Sequence, residues 1–175
     1  NGFTSNVFSS LRGSITLGEG NTATSAVLTR TTGGFLTSTI ETDTLIGIEN
    51  VNGSDHAETI TGNSLANILN GDGGNDVIDG GRGADTLNGG NGIDTATFLS
   101  GNLFQFVSVE ASLSSGLANI SRTTLTLNGA VTTTETDTLS SIENLTSGSG
   151  TDRLTGNASG NILNGGAGGD TLAGL

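Results

Sequence analysis

Oxygen-bearing side chains recur every nine residues through the middle of this chain, at Glu49, Glu58, Asn67, Asp76, Asp85 and Asp94. Two residues after each stands an apolar one: Val51, Ile60, Leu69, Ile78, Leu87 and Ala96. The pattern returns at Glu143, Asp152, Asn161 and Asp170, followed by Leu145, Leu154, Leu163 and Leu172. A period this short and this regular constrains the fold strongly. Every turn of the backbone must place one oxygen and one apolar side chain in the same relative positions, which is the signature of a repeat architecture.

A shift of 94 residues lays positions 41–80 on 135–174 without a gap. Glu41-Thr42-Asp43-Thr44-Leu45 falls on Glu135-Thr136-Asp137-Thr138-Leu139, and Asn67-Ile68-Leu69-Asn70-Gly71 on Asn161-Ile162-Leu163-Asn164-Gly165. The chain therefore reads as two tandem copies of one unit, 1–98 and 99–175, the second cut short. Each copy opens on Thr/Ser/Val-rich segments with strand-like alternation, 1–43 and 99–137. Each continues as the nine-residue lattice, 44–98 and 138–175. Gly, Thr, Asn and Asp disfavour helix almost throughout, so an all-β fold is predicted.

Apolar residues make up only 32% of the 175 residues, so a conventional core would be thin and in need of a staple. The chain has no Cys, which excludes disulfides. Its net charge of −12 makes cations the natural counter-charge. Five basic residues against seventeen acidic ones argue against nucleic acid and against anionic membranes. No apolar run approaches the roughly 18–20 residues that span a bilayer. No signal peptide is visible, and the chain reads as a fragment or a processed product.

The clearest lattice stretch runs Gly71-Asp72-Gly73-Gly74-Asn75-Asp76-Val77-Ile78-Asp79, then Gly80-Gly81-Arg82-Gly83-Ala84-Asp85-Thr86-Leu87-Asn88, then Gly89-Gly90-Asn91-Gly92-Ile93-Asp94-Thr95-Ala96-Thr97. In each nonapeptide a short strand can point its middle side chain inward and its two neighbours outward. Asp79 is accordingly expected to face solvent. The glycines supply turn angles barred to other residues. Tight turns expose carbonyl oxygens, and with the carboxylate at position six they form the oxygen-only donor set that calcium prefers.

These residues follow G-G-x-G-x-D-x-U-x, where U is a large apolar residue, and the chain resembles the RTX (repeats-in-toxin) calcium-binding family. The resemblance implies a parallel β-roll, or β-solenoid, with two nonapeptides per coil and several calcium ions between turns stacked on the same side. Glu58, Asp76 and Asp94 then line one edge, and Glu49, Asn67 and Asp85 the other. The strongest expected site lies between turns 71–76 and 89–94, using Gly71, Gly73, Asp76, Gly90, Gly92 and Asp94. Turn 80–85, with Gly80, the Arg82 carbonyl and Asp85, pairs with the weaker turn that ends at Asn67. In the second copy Gly148, Gly150 and Asp152 pair with Gly166, Gly168 and Asp170, while Asn161 and Glu143 make the dilute edge.

Other residues carry less chemistry. His56, the sole histidine, reads as a solvated turn residue. The pattern offers no catalytic triad, so no enzymatic activity is expected in this segment. Asp43 and Asp137 recur just before the first coil and read as caps or as outer ion ligands. All six Phe lie outside the lattice, and Phe98, Phe104 and Phe106 are expected to cap the first stack. Together with the resemblance, which implies bacterial export by type I secretion, these features predict a calcium-binding, calcium-dependent folding module of a secreted bacterial surface protein, of S-layer, adhesin or matrix type. The alternative is an accessory module of a secreted protease, lipase or polysaccharide epimerase. The expected partners are calcium ions, with self-association or a cell-surface polysaccharide beside them.

Overall fold

The computed structural model describes residues 14–17, 26–32, 39–45, 49–99 and 105–175; for 26–32, 39–45 and 105–106 it describes the backbone alone. The first copy supplies β1 (Ser14–Thr16), β2 (Ala26–Thr32), β3 (Thr39–Leu45), β4 (Asn50–Ser54), β5 (Thr59–Thr61), β6 (Ile68–Asp72), β7 (Val77–Asp79), β8 (Thr86–Asn88) and β9 (Thr95–Thr97). The second supplies β10 (Gln105–Ser112), β11 (Leu117–Thr126), β12 (Gly129–Ser140), β13 (Asn144–Thr146), β14 (Arg153–Thr155), β15 (Leu163–Asn164) and β16 (Thr171–Ala173). Among the described residues there is no helix.

From β4 to β9, and again from β13 to β16, each strand begins about one nonapeptide after the last and falls in the opposite sheet. Strands one full coil apart pair in parallel, with the apolar residues in register: Ile60 lies beside Ile78 and Ile78 beside Ala96. On the other face Val51 lies beside Leu69 and Leu69 beside Leu87. This is a parallel β-roll. The six apolar positions from Val51 to Ala96 are each at most 1% exposed, as are Leu145 and Leu154. Leu172, in the outermost described coil, is 49% exposed.

The two arrays form one stack. Strand β13 of the second copy pairs with β9 of the first, bringing Leu145 beside Ala96, and β12 pairs with β8, bringing Leu139 beside Leu87. The boundary expected at 98/99 thus lies inside a continuous core. Phe98 does not close the first stack: it is buried in that core, and its N–H donates to the Thr146 carbonyl of the following coil at 3.0 Å. Phe106 lies in β10, where only the backbone is described; Phe3, Phe8, Phe35 and Phe104 lie outside the described residues.

One sheet has six strands, in the order β1-β5-β7-β9-β13-β15, and the other has eight, β16-β14-β10-β11-β12-β8-β6-β4. The surplus is the pair β10 and β11, an antiparallel excursion that leaves and rejoins the roll within one sheet. It also changes the phase of the repeat. Strand β4 belongs to the eight-stranded sheet, whereas β13, its counterpart 94 residues on, belongs to the six-stranded one. The second copy therefore continues the roll half a coil out of step with the first.

Candidate metal centre

The turns stack as tightly as the strands. Asn91 N–H donates to the Asp72 carbonyl at 2.8 Å and Gly74 N–H to the Asn91 carbonyl at 2.9 Å, which locks turn 89–94 onto turn 71–76. Arg82 N–H donates to the Asn63 carbonyl at 2.9 Å, and Ala167 N–H to the Gly148 carbonyl at 2.9 Å. This closeness explains the fourth-position glycines. Gly92 has a φ of +146°, and a Cβ there would collide with the Gly74 carbonyl oxygen; Gly168, at φ +141°, stands in the same relation to Gly150. At position two of the first full register Asp72 adopts φ +75°, left-handed geometry that a residue with a Cβ enters only at a cost.

From Asp76 onward, position-six acids spend one oxygen on a backbone N–H of the neighbouring coil. Asp76 Oδ1 accepts from Glu58 N–H at 2.7 Å and Asp94 Oδ1 from Asp76 N–H at 2.8 Å. Glu143 Oε2 then accepts from Asp94 N–H at 2.7 Å, and the Asn161 amide donates to the Glu143 carbonyl at 2.8 Å. One edge thus reads Glu58, Asp76, Asp94, Glu143, Asn161. On the other edge Asn67 N–H donates to Asp85 Oδ1 and Asp85 N–H to Asp137 Oδ1, at 2.8 and 2.9 Å. Beyond the inserted strands this edge resumes: Val109 N–H donates to Asp152 Oδ1 at 2.8 Å, and Asp152 N–H to Asp170 Oδ1 at 3.0 Å. Because the second copy is out of step, Asp152 and Asp170 share an edge with Asn67 and Asp85, not with Asp76 and Asp94.

The second oxygen of these acids decides what the site can do. Oδ2 of Asp76, Asp85, Asp94 and Asp152, and Oε2 of Glu49, are buried without a hydrogen-bond partner. Buried carboxylate oxygens are normally satisfied, and leaving one without a partner is destabilising. Burial accordingly pushes the Asp76 carboxyl up to about 6, with Glu58, Asp94 and Asp72 adding repulsion against its backbone bond. Burial likewise pushes Asp85 and Asp137 up to about 7, and raises Asp94 and Glu58. A hard cation at the unpartnered oxygens would meet this demand, so the residues present fit calcium. Among the described residues no three carboxylate or imidazole side chains converge on one point. A cation held here would draw its remaining ligands from turn carbonyls.

Two of the predicted ligand residues are satisfied within their own turns. Glu58 accepts from Ser54 Oγ at 2.7 Å and from Ser54 N–H at 3.0 Å. Asn67 Oδ1 accepts from Asn63 N–H at 2.9 Å, while its amide donates back to Asn63 Oδ1 at 3.3 Å. The second copy repeats this with Asn157 and Asn161, at 2.8 and 3.2 Å. Asn63 and Asn157 close turns without a cation. Sequence reasoning passed over them, although both fall under the 94-residue shift, four positions before the lattice oxygen.

Asp79 departs from expectation. It is 8% exposed, and it accepts from Gly81 N–H at 3.0 Å and from Leu99 N–H at 3.2 Å. Its position at the strand end lets the carboxylate fold back over the next turn instead of pointing to water. Arg82 is exposed, and half-buried His56 holds Nδ1 3.5 Å from Ser54 Oγ. Asp137 is 2% exposed and serves as the next rung after Asp85. The Asp43 side chain lies outside the described residues.

Strands one full coil apart in parallel register, glycine turns stacked on one another and unpartnered buried carboxylates at position six define a parallel β-roll whose turns offer oxygen donors to a cation. The family model of the RTX calcium-binding nonapeptide repeat, in four copies, matches residues 61–96 and 137–175, and these two segments are RTX repeats. RTX nonapeptide repeats bind calcium, so the chain contains a calcium-binding module. No curated protein matches the chain.

Proposed function

We propose that this segment is a non-catalytic structural module that folds when it meets calcium outside the cell, within a larger secreted bacterial surface protein. The observation that carries the reading is the set of buried Oδ2 atoms of Asp76, Asp85, Asp94 and Asp152 without partners. In the unfolded chain these carboxylates are hydrated and far apart. Folding strips their water and stacks them one coil apart, so the fold is unfavourable until a cation supplies the missing interaction. Binding free energy then becomes folding free energy.

Calcium suits the role because it accepts six to eight oxygen ligands in flexible geometry, and extracellular calcium modules work at roughly 10⁻⁴–10⁻³ M. A chain tuned to that range stays unfolded in calcium-poor cytosol and folds after export, which agrees with type I secretion. A continuous stack that carries the repeat across a 94-residue unit favours an extended S-layer, adhesin or matrix element over a short enzyme accessory. Among the described residues no helix is long and apolar enough to cross a membrane.

Circular dichroism during a calcium titration tests the proposal. A β spectrum should rise cooperatively with calcium and vanish with chelator. A spectrum that persists unchanged in excess chelator would refute calcium-dependent folding.

A further inference from the structure

Turn 80–85 has two faces, and they are built differently. One stacks on turn 62–67 through the Arg82–Asn63 backbone bond. On the other, a regular roll would place a further glycine turn. Here the chain places β12 instead: Glu135 Oε2 accepts from Gly83 N–H at 2.8 Å, Asp137 Oδ1 accepts from Asp85 N–H at 2.9 Å, and Thr138 N–H donates to the Asp85 carbonyl at 2.9 Å. The excursion therefore adds Glu135 and Asp137 to a turn that already holds the unpartnered Asp85 Oδ2.

The same excursion brings a positive charge. Arg122 lies on β11, opposite Thr133 of β12, and is 2% exposed. Its Nε donates to Glu135 Oε1 at 2.6 Å, and its Nη2 donates to the Gly81 carbonyl. A guanidinium buried this deeply is tolerated only when paired and hydrogen-bonded. Its partners include a turn carbonyl and a carboxylate, and Asp137 follows Glu135 two residues along the same strand. This is the oxygen set that a calcium ion recruits. In the first copy the paired hairpin strands β2 and β3 set Arg30 in register with Glu41, the counterpart of Glu135 under the 94-residue shift.

We infer that the Arg122 guanidinium is a resident cation of the roll, balancing charge on the outer face of turn 80–85 as calcium does between stacked glycine turns. This assignment depends on the calcium reading of the other turns. It makes one position in the stack independent of calcium and lets the inserted strands join the roll without an ion of their own.

Native mass spectrometry of the whole chain, with a calcium titration followed by circular dichroism, tests it. Arg122→Met keeps the apolar stem and removes the charge; it should bind one more calcium ion than the parent chain and fold only at several-fold higher calcium. Arg122→Lys should keep the parent ion count. An unchanged count in Arg122→Met would overturn the inference, whatever its folding midpoint. So would an Arg122→Met chain that folds at no calcium concentration, because the ion then cannot replace the guanidinium. A parent chain that folds without binding calcium would instead overturn the proposed function, so the two failures are distinguishable.

Discussion

Along one edge of the roll Glu58, Asp76, Asp94 and Glu143 follow one another, each oxygen ladder running from acid to backbone N–H. Along the other, Asn67, Asp85 and Asp137 stand in the same relation, but the run begins at an amide that closes its own turn and ends beside a buried guanidinium. The lattice and the backbone are the same; what differs is where the counter-charge comes from. Buried Oδ2 atoms lack a partner on both edges, Asp76 and Asp94 in succession on the first, and Asp85 and Asp152, separated by the inserted strands, on the second. The second carries part of its compensation in Asn63, Asn67 and Arg122. A regular fold can thus divide a charge problem between solvent ions and its own side chains.

The largest expected effect is removal of calcium at or above neutral pH. It should abolish the β spectrum, and hydrogen exchange at limiting calcium should show turns 71–76 and 89–94 opening before turn 80–85. Simultaneous opening of both edges would erase the distinction. Next in size, Asp76→Ala combined with Asp94→Ala should raise the calcium midpoint by about tenfold or more, at 1.4 kcal/mol per factor of ten. Asn67→Ala should leave that midpoint within a few-fold of the parent. A calcium titration of both variants decides the point, and equal shifts would mean the edges are alike.

Asp79→Ala tests a different kind of carboxylate. Both of its oxygens meet backbone N–H groups, so its loss should destabilise by about 1–3 kcal/mol without changing the number of ions bound. Calcium stoichiometry and denaturant unfolding at saturating calcium separate the two outcomes.

The pH response follows from the raised carboxyls. Asp76 moves from an ordinary 3.8 to about 6, and Asp85 and Asp137 move from 3.8 to about 7. Between those limits the folded chain holds protons that the unfolded chain has released, so its stability rises as pH falls. In chelator, structure should therefore be partly regained on acidification from about pH 8 to about pH 5, since protons stand in for the missing cation. Structure that declines steadily over this range would contradict it.

The smallest effect concerns Asp72, whose left-handed φ of +75° and charge both burden turn 71–76. Asp72→Gly should stabilise by about 1 kcal/mol. A loss of stability, measured by denaturant unfolding at fixed calcium, would show that the side chain does something this geometry does not reveal.

Much of this was legible in the residues. A period of nine with one apolar position determined which side chains form the core, and Val51 through Ala96 are buried as a single column on each sheet. The family resemblance, with two nonapeptides per coil, implied that Glu58, Asp76 and Asp94 share an edge, and the backbone bonds to Asp76 and Asp94 place them so. What stayed hidden depends on contacts with no local signature. Asp79 looks like any outward strand residue until the next turn folds its amides beneath it. Asn63 looks like a turn former until Asn67 meets it. Arg122 sits in a Thr-rich segment with no motif around it, 41 residues from the carbonyl it bonds.

The oxygen lattice, the two copies and a cation's donor set follow from the sequence alone, because a repeated local pattern imposes a repeated local geometry. Only the tertiary structure decided that the copies share one stack, that the second runs half a coil out of step, and that Arg122 answers the acids of the inserted strands. Those outcomes turn on which strand edge the chain meets after Thr126 and Gly129, a pairing between distant segments that no nine-residue period encodes.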